Sequence, residues 1–321
     1  MNKPVDVSAV LTKYADISSN YGAANFPLSD HLPMAVVALA AMGAKPARIE
    51  SWAANYAAVH ELRAADDEER EGRNFWYQRI AAQGRDAVLA GALPGLIEGI
   101  GAAAFHAAIR AAYAVEQNDD RELANALESW QREFLDLPAP PNTRPVSVAE
   151  ALTKLAQSTV RVEPRGLIAT RMLAVAKDPA FLAIAQAVPR SSDIKALAVA
   201  AAAAFAESGD FTALHVMTGT HAMRILNRFF PDPETAMPAF WRAYAAASLV
   251  AGTTPSLAPD LLATLRAEAP TGWYELLVEA SAHDEEHVIK ATYTAWRLDE
   301  ALREPLFRTA ARRYIDQETY R

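Results

Sequence analysis

Near the C-terminal end, the run Ser281-Ala-His-Asp-Glu-Glu-His-Val-Ile-Lys290 brings together His283, His287 and Lys290. Imidazole nitrogens bind metals and carry protons near neutral pH, and a desolvated amine becomes a neutral nucleophile, so this grouping has chemistry open to it. The stretch lacks Gly and Pro and runs on into apolar positions, which reads as one helix. Residues three and four apart are neighbours on a helix surface. His283, His287 and Lys290 then share a face with Val288, Ile289 and Tyr293, while Glu285 and Glu286 turn to solvent. The two-histidine spacing resembles that of zinc proteases, but those need Glu directly after the first His, and Asp284 stands there. Lys290 has two readings. It is either an ion-pair partner of Glu286, four residues earlier, or a neutral amine that adds CO2 and becomes an anionic carbamate.

Three further histidines occupy apolar, helical surroundings. His31 opens a helix over 33–42 that is apolar on nearly every side and so must be buried; Ser29 or Asp30 caps it. His106 falls in the middle of an Ala/Gly-rich helix over 96–116, with Arg110 one turn on as a counter-charge or a ligand for a substrate anion. Asp210 caps a helix over 211–230 that carries His215 and His221. Six residues apart, these two stand about 240° around the axis, so only one faces a given point. His215, with more apolar neighbours and Thr218 on its face, is the candidate. Any one of these histidines has a plain reading as a satisfied core residue or a helix-end decoration. Together with Lys290 they favour a buried polyhistidine centre, and neutral imidazole suits Zn, Cu, Fe or Ni.

The elements that must position them are helical. Of 321 residues, 51% are hydrophobic and 22% charged, enough for a sizeable core. Alanine dominates, and it has the best helix propensity. The expectation is an all-α fold, a compact multi-helix array of antiparallel helix pairs around a histidine-rich centre. One domain over 1–321 is expected, with an internal proline-rich linker near 137–146 (Leu137-Pro-Ala-Pro-Pro141). Tyr21 to Pro27 reads as a turn-rich connection, and 63–73 as a charged, solvated one, with His60 on the surface just before it. Asn74-Phe-Trp76-Tyr is an aromatic cluster in the core or a pocket wall. A net charge of −8 attracts neither nucleic acid nor an anionic membrane. The chain has no cysteine, which excludes disulfides and thiolate ligands. Without a signal-like N-terminus or a spanning apolar run, a cytoplasmic monomer or small homo-oligomer is expected.

Four segments in this order carry a resemblance: His31-Leu-Pro-Met-Ala, Phe105-His106-Ala-Ala-Ile-Arg110-Ala-Ala-Tyr113-Ala-Val-Glu116, Asp210-Phe-Thr-Ala-Leu-His215-Val-Met-Thr218 and Asp284-Glu-Glu-His287-Val-Ile-Lys290. The chain resembles the questin oxidase-like family of fungal polyketide-tailoring enzymes and their bacterial relatives. The resemblance implies oxidative cleavage of anthraquinone-type aromatics by O2 at a nonheme iron (Fe) site of four histidines and a carboxylated lysine. Here those would be His31, His106, His215, His287 and Lys290. His221 and His283 would be supporting or surface residues, and Trp76, Tyr113 and Trp241 would line the aromatic pocket. An older description of the family as NADPH-dependent and Baeyer–Villiger-like has no built-in counterpart here, since no Gly-x-Gly-x-x-Gly follows a strand. The same ligands holding Zn would make a hydrolase, and a helical scaffold without catalysis is the third reading.

Overall fold

Ala196 to Ala206 is alanine-rich, and the helix that contains it, Ile194–Ser208, is buried along almost its whole length. Small side chains let helices approach closely, and that packing sets the architecture. A computed structural model describes residues 5–23 and 26–319. Among the described residues there are seventeen α-helices and two two-stranded sheets. Consecutive helices pack as pairs, among them His106–Gln117 with Asp120–Arg132, Ile194–Ser208 with Phe211–Leu226, and Glu286–Leu302 with Leu306–Thr319. The result is the compact helical array expected of this composition.

Four helices position the site. Leu32–Ala41 packs on His106–Gln117, which packs on Phe211–Leu226; that helix packs on Glu286–Leu302, which returns to Leu32–Ala41. The cycle is closed. Leu32–Ala41 is apolar all round because it is buried all round, and Gly43 ends it with φ +88°, a conformation that favours glycine. No described helix is long and apolar enough to cross a membrane.

Several local expectations need correction. Tyr21 to Pro27 is not merely a connection: Asn20–Ala23 and Phe26–Ser29 form an antiparallel hairpin, with Tyr21 opposite Leu28. The charged run 63–73 is not a solvated linker either. Asp66 and Glu69 form a capping box that starts the helix Asp67–Gln83, and Glu69 and Arg73 are buried as an ion pair. The proline-rich stretch 137–143 forms neither helix nor strand, and Arg144–Val146 after it pairs in parallel with Ala187–Pro189. The helix over 96–116 is broken. Arg85–Leu96 gives way to a 3-10 turn and an irregular segment, and the next helix begins at His106 itself.

Candidate metal centre

That break creates the site. Ala103, Ala104 and Phe105 all have positive φ (45°, 58° and 69°), a left-handed run that non-glycine residues adopt only where the surroundings hold it. Phe105 is held by burial against Gly219 of the facing helix, where a Cβ would lie 2.7 Å from the Phe105 ring. The run turns the chain so that His106 is the first residue of its helix rather than a mid-helix side chain. His31 is the N-cap of Leu32–Ala41, His287 the second residue of Glu286–Leu302 and His215 the fifth of Phe211–Leu226. Four helix N-termini thus bring four imidazoles together.

The rings touch. Centroid separations are 4.6 Å for His31–His106, 4.8 Å for His106–His215 and 4.7 Å for His31–His287, with His215–His287 at 5.9 Å. The Nε2 atoms face inward: His106 Nε2 lies 2.8 Å from His31 Nε2 and 3.4 Å from His215 Nε2. Outward-facing Nδ1 atoms are held by the protein. His106 Nδ1 meets the Ala103 carbonyl, His215 Nδ1 the Phe211 carbonyl at 2.7 Å, and His287 Nδ1 the Glu285 carboxylate at 2.6 Å. Carbonyls and carboxylates only accept hydrogen bonds, so Nδ1 carries the proton in all three rings and Nε2 carries a lone pair. The His31 ring is steadied more loosely by Tyr56, whose hydroxyl accepts from the His31 backbone N–H.

Lone pairs converging in a buried space repel unless a cation lies among them. Burial pushes His31, His106 and His215 well below the ordinary histidine pKa, and the charge of Lys290 pushes the same way. These imidazoles are therefore neutral at pH 7. The Lys290 side chain is fully buried, and its Nζ has no hydrogen-bond partner among the described residues; neither has His287 Nε2. Burial brings the Lys290 amine down to about 7 despite the pull of Glu286, Glu285 and Asp30. The donor set fits a metal ion. His31, His106 and His215 each offer a nitrogen within 4.8 Å of the others, and the two Nε2 separations suit nitrogens about 2.1 Å from one ion.

Sequence reasoning missed two residues here. Glu286 was placed in solvent, yet its carboxylate groups with His31 and His287 as a second potential ligand set. Glu285, also assigned to solvent, caps the helix through Val288 N–H (2.8 Å) while orienting His287. The shared face of His283 and His287 is corrected as well. The helix Tyr274–Ala282 ends before His283, whose Nδ1 accepts from Glu285 N–H in the break between two helices.

The remaining candidates lie around the centre rather than in it. Arg110 pairs with Glu122 at 2.8 Å, not with His106; its Nη1 is buried without a hydrogen-bond partner among the described residues, and Arg110 and Asp30 both line a cavity of about 440 Å³. Tyr113 bonds Thr294 and packs on Tyr293; Thr218 bonds back to the Leu214 carbonyl. His221 faces away from His215 and bonds Glu116 (3.2 Å), a carboxylate also reached by Tyr293 and Arg297. Burial alone would raise Glu116, but His221, Arg297 and Arg224 outweigh it and hold the carboxyl down to about 2. Trp76 packs with Phe75 and Arg79, and Trp241 is core, bonded to the Ile184 carbonyl and stacked on Tyr244. His60 is half-buried against Tyr21 and Tyr56 rather than free on the surface.

No curated protein matches the chain. A family model described as questin oxidase-like matches residues 28–295, a span that holds all four histidines and Lys290. The convergent histidines therefore belong to a chain that is a member of the questin oxidase-like family.

Proposed function

We propose that the protein is a nonheme iron-dependent oxygenase that cleaves a ring of an aromatic, anthraquinone- or polyketide-like substrate with O2, and that His31, His106, His215, His287 and Lys290 hold the metal. Family membership supports an oxidoreductase acting on polyketide-type substrates. The observation that carries the metal assignment is the convergence of ring nitrogens: His31, His106 and His215 bring Nε2 together in one buried space, and the Nδ1 bonds of His106 and His215 leave their Nε2 atoms unprotonated. Iron held there supplies the one-electron chemistry that triplet O2 needs to react with a closed-shell ring.

The protein's own groups have distinct tasks. Fixed Nδ1 protons keep the rings from rotating and raise the donor strength of Nε2, as such supporting bonds do in metal sites. Lys290 is half-neutral near pH 7. The Nζ lone pair of the neutral amine can form an N–C bond to CO2 with loss of one N–H proton, which converts the amine into an oxygen anion. One feature favours that anion: helix N-termini stabilise negative charge, and four of them carry the histidines of the centre. Glu285 and Glu286 add negative charge that offsets the same dipoles for a bound cation. The burial of all four rings excludes bulk water, which protects reactive species from quenching.

The test is O2 consumption by iron-loaded protein with 1,8-dihydroxyanthraquinone, run beside His106→Ala and Lys290→Ala. Uptake in the wild type and none in either variant supports the reading. Equal uptake in all three would overturn it.

A further inference from the structure

Phe211 is the first residue of its helix and is 46% exposed, although helix-forming apolar residues around it are buried. Its ring lies 4.6 Å from the His215 ring and 4.6 Å from the His287 ring. A solvent-facing aromatic side chain thus covers two of the four imidazoles, one of which has an Nε2 without a hydrogen-bond partner among the described residues. Its backbone is fixed. Asp210 accepts from Thr212 and Ala213 N–H at 2.7 and 2.9 Å, and the Phe211 carbonyl accepts the His215 Nδ1 proton. Gly209 just before has φ +58°, a conformation that favours glycine, and its carbonyl accepts from the Gln317 side-chain amide at 3.4 Å.

We infer that Phe211 is the aromatic door of the centre: its ring swings aside on a fixed backbone and stacks against the flat ring of the incoming substrate. The inference rests on the reading of the site as one that acts on an aromatic substrate. Exposed side chains change rotamer in picoseconds to nanoseconds, so opening requires no helix to move. Stacking against a flat ring replaces the contacts that Phe211 gives up with the two imidazoles. A phenyl ring has only two side-chain torsions to order. The residue would act in recognition and access, with no part in bond making.

Three variants separate the two tasks. Phe211→Leu keeps an apolar cover without a π face, Phe211→Ala removes the cover, and Phe211→Trp keeps the stacking face. None disturbs the carbonyl that holds His215. Fluorescence titration with anthraquinone-2-carboxylate should give Kd raised about three- to tenfold in the Leu and Ala variants and near wild type in Trp. Removal of bound metal by a small chelator should be at least about tenfold faster in Ala and close to wild type in Leu. Probe affinity unchanged in both Leu and Ala, or no binding of the probe by the wild type, would overturn the inference. Elemental analysis of the same preparations keeps the two ideas apart. A wild type with no metal counts against the metal assignment, whereas metal-replete protein with Phe211-independent probe binding counts against Phe211 alone.

Discussion

Replacing Lys290 by Met in metal-free protein should make the protein more stable, and by an amount that depends on pH. The amine is fully buried and without a hydrogen-bond partner among the described residues, and burial lowers it from 10.5 to about 7. A lysine lowered on folding destabilises the native state in full below its folded pKa. That cost is relieved as pH rises from about 7 towards 10.5, because only the unfolded chain still holds the proton. The slope follows from linkage at about 1.4 kcal/mol per pH unit. Between about pH 7.5 and 9.5 the wild type should therefore gain roughly 2.5 kcal/mol from this group. Met is nearly isosteric and has nothing to ionise, so Lys290→Met should lack that slope and be the more stable protein at pH 7.5. Other groups leave the window clear: the buried histidines matter below about 6.5, and the raised tyrosines, such as Tyr21 at about 12, matter only above about 10. Urea unfolding of metal-free protein under argon, free of CO2, is the assay. Equal slopes in the two proteins, or a wild type that loses stability over this range, would refute the account of Lys290 as a desolvated amine.

Three further outcomes are expected. Glu285→Ala removes both the helix cap and the partner of His287 Nδ1; stability should fall by about 1 kcal/mol and metal affinity by about 10–100-fold, read by denaturant melts and by competition with a chromophoric chelator. Gly219→Ala drives a methyl group into Phe105, which has no room to retreat. It should cost about 1–3 kcal/mol and weaken metal binding by disturbing the left-handed run before His106, whereas Gly91→Ala, with open space around it, should do neither. Glu116 is lowered from 4.5 to about 2, so its contribution is complete above about pH 4.5 and is lost as pH falls towards 2. Glu116→Gln should remove roughly 3 kcal/mol at pH 7 while leaving metal content intact, which melting curves and elemental analysis together would reveal.

The ligand candidates were legible because a polar side chain among alanines needs a reason, and His31, His106, His215 and Lys290 each stood in that setting. Their arrangement was less legible. Nothing in Ala-Ala-Ala-Phe105 signals a left-handed run, because tertiary packing against Gly219 holds it against local preference. A continuous helix over 96–116 was the natural local reading, and it put His106 in the wrong part of a helix. His283 went astray for a related reason. The helix before it ends without Gly or Pro, and Glu285 is an unusual cap, so the break between Ala282 and Glu286 has no strong marker. The capping box at Asp66 and Glu69 was readable by contrast, since Asp followed by Glu three residues later is a known helix start. Phe211 could not have been chosen from sequence. Its exposure, and its contact with two imidazoles from different helices, exist only in the folded chain.

Metal content tests the central claim most directly. Protein purified without added metal or chelator should carry close to one iron per chain by elemental analysis, and His106→Ala and Lys290→Ala should lose it while keeping their helical circular dichroism. Zinc in place of iron would contradict the oxygenase reading and favour hydrolysis. No metal, even after anaerobic incubation with Fe(II) and bicarbonate, would contradict the metal centre itself.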